Sequence, residues 1–530
     1  MEKNELIKFG NKILNIVSEV FVAIILILFP LLVDETGFFR ILEAKWYAHL
    51  TIVSTYIFVI LSVLIYFFLV KKINLLKGKK FTKVKIFACI FLLINIVSTL
   101  MSPYLKTHDL FIGSGRGEGL INIFLYTISF LLVSTFLKFE KRQINYFAIS
   151  GLVFSIICVM QYFGLNPFNM YQDGIGTHNV SFMGTIGNVD FISAYYTIVL
   201  TISLVTYLFI TENKWQSLLN LTAVSVGMFI FQIIDVQSGV VGFMAVVAVL
   251  APYILLSGER FSRTLVVVSG IVVGFLVDFV INLKYIYDEK NLIFDFQFNE
   301  LAIGMIICVL VLLILAFALK KKDYYLLHKR RNIIIIYLIM IISILAGLTT
   351  IYFKDFNVGI LHEIHDILHG NFKDEYGTYR VFLWKRAIKL VEEAPIIGTG
   401  SDTFAIRFMK QYTSDVAALG KLTINDTAAN VYLTILVNTG ILGLIAFAMM
   451  VLSLLFRLIK SALTGKLNDN IEHGNTYYYI LALGILAYAV QDFFNLWVVI
   501  VTPIYFVTMG MLESVRKDGI IENKNIKNWD

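Results

Sequence analysis

The sequence predicts an all-α polytopic membrane protein with about 14 transmembrane helices. Hydrophobic residues make up 58% of the 530 residues and charged residues only 15%, whereas soluble domains carry roughly 25% charged residues. Apolar stretches of about 18 to 22 residues recur along the chain, and each is long enough to cross about 30 Å of hydrocarbon. The ten-residue alternation typical of a membrane β-barrel is missing, so the spans are expected to be helices.

The first apolar stretch is too long for the apolar region of a signal peptide and lacks a small-residue cleavage site. It is therefore expected to be retained as a transmembrane helix. The predicted spans are residues 12–33, 47–70, 86–102, 119–137, 144–164, 188–210, 218–234, 238–257, 264–283, 301–319, 332–351, 431–455, 477–491 and 495–514.

Lys and Arg cluster in alternate loops, which the positive-inside rule makes cytoplasmic. The clusters lie at residues 71–85, 138–142, 260–263, 320–331, 457–466 and from 516 onward. Both termini are therefore expected in the cytoplasm, in agreement with an even number of spans. The net charge of +7 then reflects topology and does not indicate a nucleic-acid partner.

Four regions follow from this topology. Residues 1–351 are predicted to form an N-terminal bundle of about 11 helices, and residues 352–430 one large extracytoplasmic loop. Residues 431–514 supply the C-terminal transmembrane helices, and residues 515–530 a cytoplasmic tail. Because the loop is long and free of low-complexity sequence, it is expected to be folded and functional.

The segment GSGRGEGL, residues 113–120, reaches the external surface just before the fourth span and carries Arg116 and Glu118 among glycines. Glycine lets the backbone approach a ligand closely, and a guanidinium group offers a planar fork for diphosphate oxygens. An Arg–Glu pair in a tight turn is the alternative interpretation. The Gly-Lys-Ser/Thr of a nucleotide-binding P-loop is missing from the segment.

The centre of the large loop, TYRVFLWKRAIKLVEEAP, predicts an amphipathic helix that ends near Pro395. Val381, Trp384, Ile388 and Val391 are spaced to form one apolar stripe, with cations on the other faces. Such a helix fits the membrane interface, and it equally fits a loop helix that caps the bundle.

Three further features receive a structural interpretation. His362, His365 and His369 have a spacing that helical periodicity explains, and no other strong ligands accompany them, so no metal or cofactor is predicted. The three cysteines all fall inside predicted spans and indicate no disulfide framework. Polar residues at positions 491–495 are expected near the surface, where they form structural hydrogen bonds.

Two stretches together resemble the O-antigen ligase and polymerase family: YRVFLWKRAIKLVEEAPIIGTGSDTFAIRF and DTAANVYLTILVNTGILGLIAF. Family members carry a similar order of Tyr-Arg, Trp, Pro-x-x-Gly-x-Gly and Phe, then His-Asn-x-Tyr-Leu and Thr-Gly-x-x-Gly. GRGEGL is similar to the Arg-x-Glu-Gly of Gram-positive members, and GTIGNVDFISAYY to a Gly-Asn-Pro-Asn segment. The resemblance runs from about residue 28 to 512 and is strongest over 376–447.

The resemblance implies a cell-envelope enzyme of the bacterial cytoplasmic membrane. Such enzymes transfer a glycan from undecaprenyl diphosphate to a glycan, protein or lipid acceptor on the outer face. In a Gram-positive cell this would be polymerisation of capsule or exopolysaccharide, or ligation of a glycan to protein or wall. The first candidate for diphosphate contact is Arg380, and the other candidate substrate-binding residues are Arg116, Glu118, Arg386, Arg407, Tyr379 and Trp384.

The sequence departs from the family at Ala429, where members usually have a histidine that is thought to activate the acceptor hydroxyl. Asn430 fits the motif, but alanine cannot accept a proton. Three explanations stay open. Asp426 or a loop histidine replaces the base, the protein is a divergent member with weakened activity, or the residue was changed deliberately.

Two other functional classes compete with the enzyme. A polysaccharide transporter or flippase would also have 12 to 14 spans, but no clear internal repeat is visible and few charges lie in the middle of the spans. A non-catalytic relative that binds lipid-linked glycan is the second alternative, and Ala429 favours it more than it would in a typical member.

Overall fold

The computed structural model describes residues 3–526 except 108, 172–182, 211–212, 282, 287–290, 321–329, 358, 420–425, 468–470 and 472–474. The described helices of ten residues or more are α1 (Lys3–Leu31), α2 (Ile41–Leu69), α3 (Lys83–Leu100), α4 (Leu120–Phe136), α5 (Asn145–Tyr162), α6 (Val189–Phe209), α7 (Lys214–Ile233), α8 (Gln237–Leu255), α9 (Gly258–Ile281), α10 (Glu300–Leu319), α11 (Arg330–Phe353), α12 (Gly359–Leu368), α13 (Arg380–Glu393), α14 (Phe404–Ala418), α15 (Val431–Leu463), α16 (Thr476–Gln491) and α17 (Thr502–Ile526).

The all-α polytopic fold is confirmed. In the described part of the chain, 11 helices are long and apolar enough to cross a membrane, and α4 and α16 are shorter apolar helices. With α17 they correspond to the predicted spans. Short helical turns lie at Asp109–Ile112, Lys141–Ile144 and Pro167–Asn169, and the strands β1 (Leu283–Ile286) and β2 (Asn291–Phe294) form an antiparallel hairpin between α9 and α10.

Helix α6 occupies the centre of the bundle and is buried along its whole apolar length. It packs against α5, α7, α8 and α16. Small hydroxylated residues such as Ser193, Thr197 and Thr201 are buried along it, and they let neighbouring helices approach closely. By contrast, α10 and α11 leave most of their apolar surface exposed, as expected of helices that face lipid.

The last span begins later than predicted. The sequence predicted a helix from residue 495, but α17 starts at Thr502 and the stretch before it is non-helical. Val498, Val499, Ile500 and Val501 are nevertheless fully buried. Irregular backbone at this depth is tolerated because it lies inside the protein and not against lipid.

Several of the basic segments meet at one cleft. This cleft of about 880 Å³ brings together Lys8, Lys79, Lys138 and Arg142 with Ser514 in the middle of α17. The N-terminus, two predicted cytoplasmic loops and the C-terminal helix therefore share one end of the molecule.

Helices α12, α13 and α14 lie between α11 and α15, and α13 packs into a small core of its own. The predicted stripe of α13 was wrong in part, since Ile388 is 54% exposed and the buried residues are Phe382, Leu383, Ala387 and Leu390. These side chains pack against α14 and the start of α15, not against lipid. Their positions also recur at helical spacing, so the sequence allowed two stripes.

Candidate active site

A break in α15 fixes the loop that leads into α14. At Gly440 the backbone has φ 66° and ψ −172°, which interrupts the helix, and the chain that follows α13 docks against the break. The amide of Ile441 donates to the carbonyl of Pro395 at 2.8 Å, and the amide of Thr399 donates to the carbonyl of Asn438 at 3.0 Å. This interlock positions the turn that enters α14.

Two carboxylates reach from the large loop to the glycine-rich turn at residues 113–119. Asp402 accepts hydrogen bonds from the amide of Ser114 and from its hydroxyl, the latter at 2.9 Å. Asp426 Oδ2 accepts a charged hydrogen bond from Arg116 Nε at 2.6 Å. The turn that presents Arg116 is therefore held by two separate parts of the large loop.

Arg116 lies where three elements meet. Its guanidinium group is 5.3 Å from the ring centroid of Phe191 at the start of α6. Its carbonyl accepts from the amide of Val499 in the non-helical stretch before α17, at 3.4 Å. The side chain keeps 26% of its surface exposed, so part of the guanidinium group is accessible to a ligand.

Glu118 follows on the same turn and is partly buried. Its Oε1 accepts from the hydroxyl of Tyr126 at 2.9 Å and lies 3.5 Å from the hydroxyl of Thr502, while Oε2 has no hydrogen-bond partner among the described residues. Burial raises the pKa of the Glu118 carboxyl well above its usual value.

Asp402 shares a cavity of about 50 Å³ with Glu118, and Thr427 and Trp497 also line it. Burial is the main reason that the pKa of Asp402 rises to about 7, and the nearby carboxylates of Asp426 and Asp109 raise it further. The cavity has room for a few water molecules. The carboxyl groups of Asp402 and Glu118, whose pKa values are both raised by burial, thus line one small cavity.

Asp402→Asn is expected to reduce the pH dependence of thermal stability. The pKa of Asp402 is about 7 in the folded protein, whereas an aspartate in the unfolded chain has the ordinary value of 3.8. Between these two pH values the folded state therefore binds more protons than the unfolded state. Its contribution to the free energy of unfolding therefore falls as pH rises from about 4 to about 7. Melting temperatures of both proteins across this range test it, and an unchanged slope in the variant would contradict it.

Arg380 begins α13 after a strained turn in which Tyr379 has φ 66°. Its Nη1 donates to the carbonyl of Gly377 and its Nη2 to that of Phe494, both at 3.1 Å. Its Nε is buried without a hydrogen-bond partner, and Arg380 forms no ion pair with any residue that the structure describes. Burial lowers the pKa of Arg380, while Asp190 at the start of α6 acts in the opposite direction.

The two remaining candidate arginines are occupied by internal partners. Arg386 forms ion pairs with Asp374 at 3.1 Å and Asp415 at 2.9 Å. Arg407 is almost fully buried, where it pairs with Glu393 at 2.7 Å and donates to backbone carbonyls. These contacts give both side chains a structural role in the fold of the large loop.

The segment before α15 holds the motif residues in fixed positions. Asn430 caps α15, since its Oδ1 accepts from the amide of Leu433 at 2.9 Å. Trp384 Nε1 donates to the carbonyl of Ala428 at 3.0 Å and so ties α13 to the same segment. Ala429 has φ 48°, a conformation in which asparagine, aspartate and histidine are enriched among residues other than glycine.

The polar residues at the end of α16 are buried within the protein. Gln491, Asp492 and Asn495 are almost inaccessible to solvent, and they lie where α16 passes into the non-helical stretch before α17. Asp492 accepts from Trp497 Nε1 at 3.3 Å, and the Asn495 side chain donates to the carbonyl of Asp190 at 3.2 Å. The amide of Val431 also donates to the carbonyl of Asp492 at 2.8 Å, so this segment connects the start of α6 with the start of α15.

The loop histidines have other partners. His362 Nδ1 lies 3.0 Å from the Asp355 carboxylate, and His365 Nδ1 lies 2.7 Å from the carbonyl of Ile351. Across the described ranges, no group of three or more His, Cys, Asp or Glu side chains is placed to hold a metal ion.

Part of the chain matches a known protein family. Residues 292–448 match the profile of the family described as O-antigen ligase, a range that runs from β2 into α15. No curated protein sequence matches the chain. The glycine-rich turn and the start of α6 lie outside the matched range, so their similarity to the family stays a resemblance. Residues 292–448 of this membrane protein are an O-antigen ligase domain, which confirms the family resemblance and relates the chain to ligases and polymerases of lipid-linked glycans.

Proposed function

We propose that this protein transfers a glycan from undecaprenyl diphosphate to a hydroxyl group of a glycan, protein or lipid acceptor, as a polysaccharide polymerase or a ligase. The observation that best supports this proposal is that Nε of Arg380 is buried without a hydrogen-bond partner among the described residues. A guanidinium group with a buried Nε–H that has no acceptor, and with no ion pair among the described residues, is incomplete without a ligand. A diphosphate oxygen supplies both the acceptor and the charge.

Arg116 supports the same donor. Arg116 stacks over Phe191 at the start of α6. Arg380 donates to the carbonyl of Phe494, and the next residue, Asn495, donates to the carbonyl of Asp190 at the start of the same helix. Two arginines can share the two phosphates of one lipid diphosphate. The apolar flank of the bundle then accommodates the polyprenyl chain.

The proposed reaction is a displacement at the anomeric carbon of the donor glycan. The acceptor oxygen forms a bond to this carbon, the bond from carbon to diphosphate oxygen breaks, and undecaprenyl diphosphate leaves. Negative charge grows on the leaving diphosphate in the transition state. Fixed guanidinium groups therefore stabilise the transition state more than the bound substrate.

A base must take the proton of the acceptor hydroxyl, and Ala429 cannot do so. We propose Asp426 for this role. Its Oδ2 is held by Arg116, while its Oδ1 has no hydrogen bond within the described part of the chain. Because Asp426 lies three residues before Ala429, it approaches the same region from the same segment.

Asp426→Asn is expected to lower glycan transfer about 100-fold, because asparagine keeps an acceptor for Arg116 but cannot take a proton. Adding Ala429→His to this variant is expected to restore part of the activity, since histidine suits the left-handed backbone there. Turnover of a radiolabelled undecaprenyl diphosphate glycan measures both. Full activity in Asp426→Asn would exclude Asp426 as the base.

We propose that the site faces the extracytoplasmic side and that both termini are cytoplasmic, since the basic cleft gathers the predicted cytoplasmic loops. In intact cells, a membrane-impermeant amine reagent is expected to modify the exposed Lys389 of α13 but not the exposed Lys80. Mass spectrometry after labelling measures this. The reverse pattern would invert the topology.

A further inference from the structure

An open groove adjoins the glycine-rich turn that carries Arg116. It has a volume of about 390 Å³ and lies between residues 39–47 and the glycine-rich turn. Arg116 lines it and also pairs with Asp426, so the groove leads directly into the candidate site. We call it the aromatic groove.

Aromatic rings form one wall of the aromatic groove. Phe39 is 79% exposed and Tyr47 56% exposed, although both are large apolar side chains. The ring of Trp46 meets that of Tyr47 edge to face, with centroids 5.1 Å apart. Flat aromatic faces beside a few fixed polar groups are typical of sites for small organic ligands.

The aromatic groove also contains polar groups. Trp46 Nε1 is buried and has no acceptor in the described part of the chain, so a donor is left unsatisfied. Arg40 and Glu43 form a two-pronged ion pair at 2.5 to 2.6 Å that offers both donors and acceptors.

Gly117 keeps the Trp46 ring against the turn. Its φ is 73°, and a Cβ at this position would lie 2.7 Å from Trp46 Cδ1. A glycine is therefore required for the indole to lie flat against the turn that carries Arg116. The groove and the turn are built as one unit.

We infer that the aromatic groove binds the sugar rings of a glycan whose reacting end lies at Arg116. Sugar rings have apolar faces for the aromatic rings and hydroxyl groups for the indole N–H and for the Arg40–Glu43 pair. An acyl chain would leave the indole N–H unsatisfied and would make no use of the Arg40–Glu43 pair. This inference rests on the proposed function and adds a binding site to it.

Binding of free oligosaccharide to the purified protein in nanodiscs tests the inference. The probe is a pool of fluorescently labelled oligosaccharides from partial acid hydrolysis of the host's envelope polysaccharides, measured by equilibrium dialysis. The Phe39→Ala/Tyr47→Ala double variant is expected to bind at least about tenfold more weakly, and Trp46→Phe about fivefold more weakly through one lost hydrogen bond. The matched control is Phe58→Ala, a 70% exposed phenylalanine on α2 outside the groove, with unchanged binding.

The outcomes separate this inference from the proposed function. Absence of binding by the unmodified protein, or equal binding by all variants, would overturn the glycan groove and leave the aromatic rings as anchors at the membrane interface. Donor turnover is measured separately. Normal turnover with groove-independent binding would refute the groove alone, whereas groove-dependent binding without any turnover would refute the transfer reaction alone.

Discussion

Gly440→Ala is expected to remove most of the folded protein from the membrane. At φ 66° and ψ −172° the backbone of Gly440 lies in a region that is nearly exclusive to glycine. An added Cβ would also lie 2.3 Å from the backbone carbonyl of Ile396, where no side chain can move aside. Backbone strain and overlap together are expected to cost at least about 3 kcal/mol.

Membrane-fraction yield and melting temperature in detergent measure this effect. Gly398→Ala should behave in the same way, because its Cβ would lie 2.2 Å from the carbonyl oxygen of Asn438. Gly304→Ala is the matched control, since Gly304 lies on the exposed face of α10 with no atom near the added Cβ. Wild-type yield and stability in Gly440→Ala would mean that the interlock between α15 and the preceding loop is not a structural requirement.

Arg380→Ala is expected to lower glycan transfer about 1000-fold, in the range found when an arginine that stabilises a leaving phosphate is removed. The loss should fall mainly on kcat, because the charge that Arg380 stabilises develops as the diphosphate leaves. Arg380→Lys is expected to recover only part of the activity, since an ammonium group lacks the planar fork. Initial rates over a range of donor concentrations separate kcat from KM.

The control for Arg380 is Lys389→Ala on the exposed face of the same helix, which is expected to keep full activity. Melting temperatures show whether the variant is folded, since Arg380 also donates to the carbonyls of Gly377 and Phe494. A folded Arg380→Ala protein with normal kcat would remove Arg380 from the reaction.

Apolar runs predicted the number and approximate bounds of the helices but not the unwound stretch before α17. Val498 to Val501 are as apolar as a transmembrane helix and fully buried, yet they are not helical. An apolar sequence predicts that a segment is buried. It predicts a helix only where the segment faces lipid, because the backbone must then satisfy its own hydrogen bonds. Inside the protein, Thr502 Oγ1 accepts from the amide of Val498 instead.

The family motifs could be identified in the sequence, but in the structure some of their residues, namely two glycines and Asn430, have a structural role. Gly398 of the motif after α13 and Gly440 at the break in α15 are required because two backbones approach each other closely there. Asn430 likewise serves as a helix cap. A motif of this kind can indicate a family without showing which of its residues bind the substrate.

Charge alone could not separate the candidate arginines. The family resemblance placed Arg380 before Arg386 and Arg407, and the structure adds that Arg386 and Arg407 have ion-pair partners whereas Nε of Arg380 has no hydrogen-bond partner among the described residues. Asp402 was missed altogether, although an aspartate in a turn rich in glycine and threonine was a usable signal. Its proximity to Ser114 depends on packing between segments almost 300 residues apart, which no local pattern contains.

The most direct test of the central claim is donor turnover by the purified protein in lipid vesicles. The vesicles would contain undecaprenyl diphosphate carrying the host's own glycan, with a soluble oligosaccharide as acceptor. The proposed function predicts loss of donor together with a longer glycan, and loss of both in Arg380→Ala. Movement of the donor across the bilayer without any longer glycan would contradict it and favour a flippase, while tight donor binding without either result would indicate a non-catalytic relative.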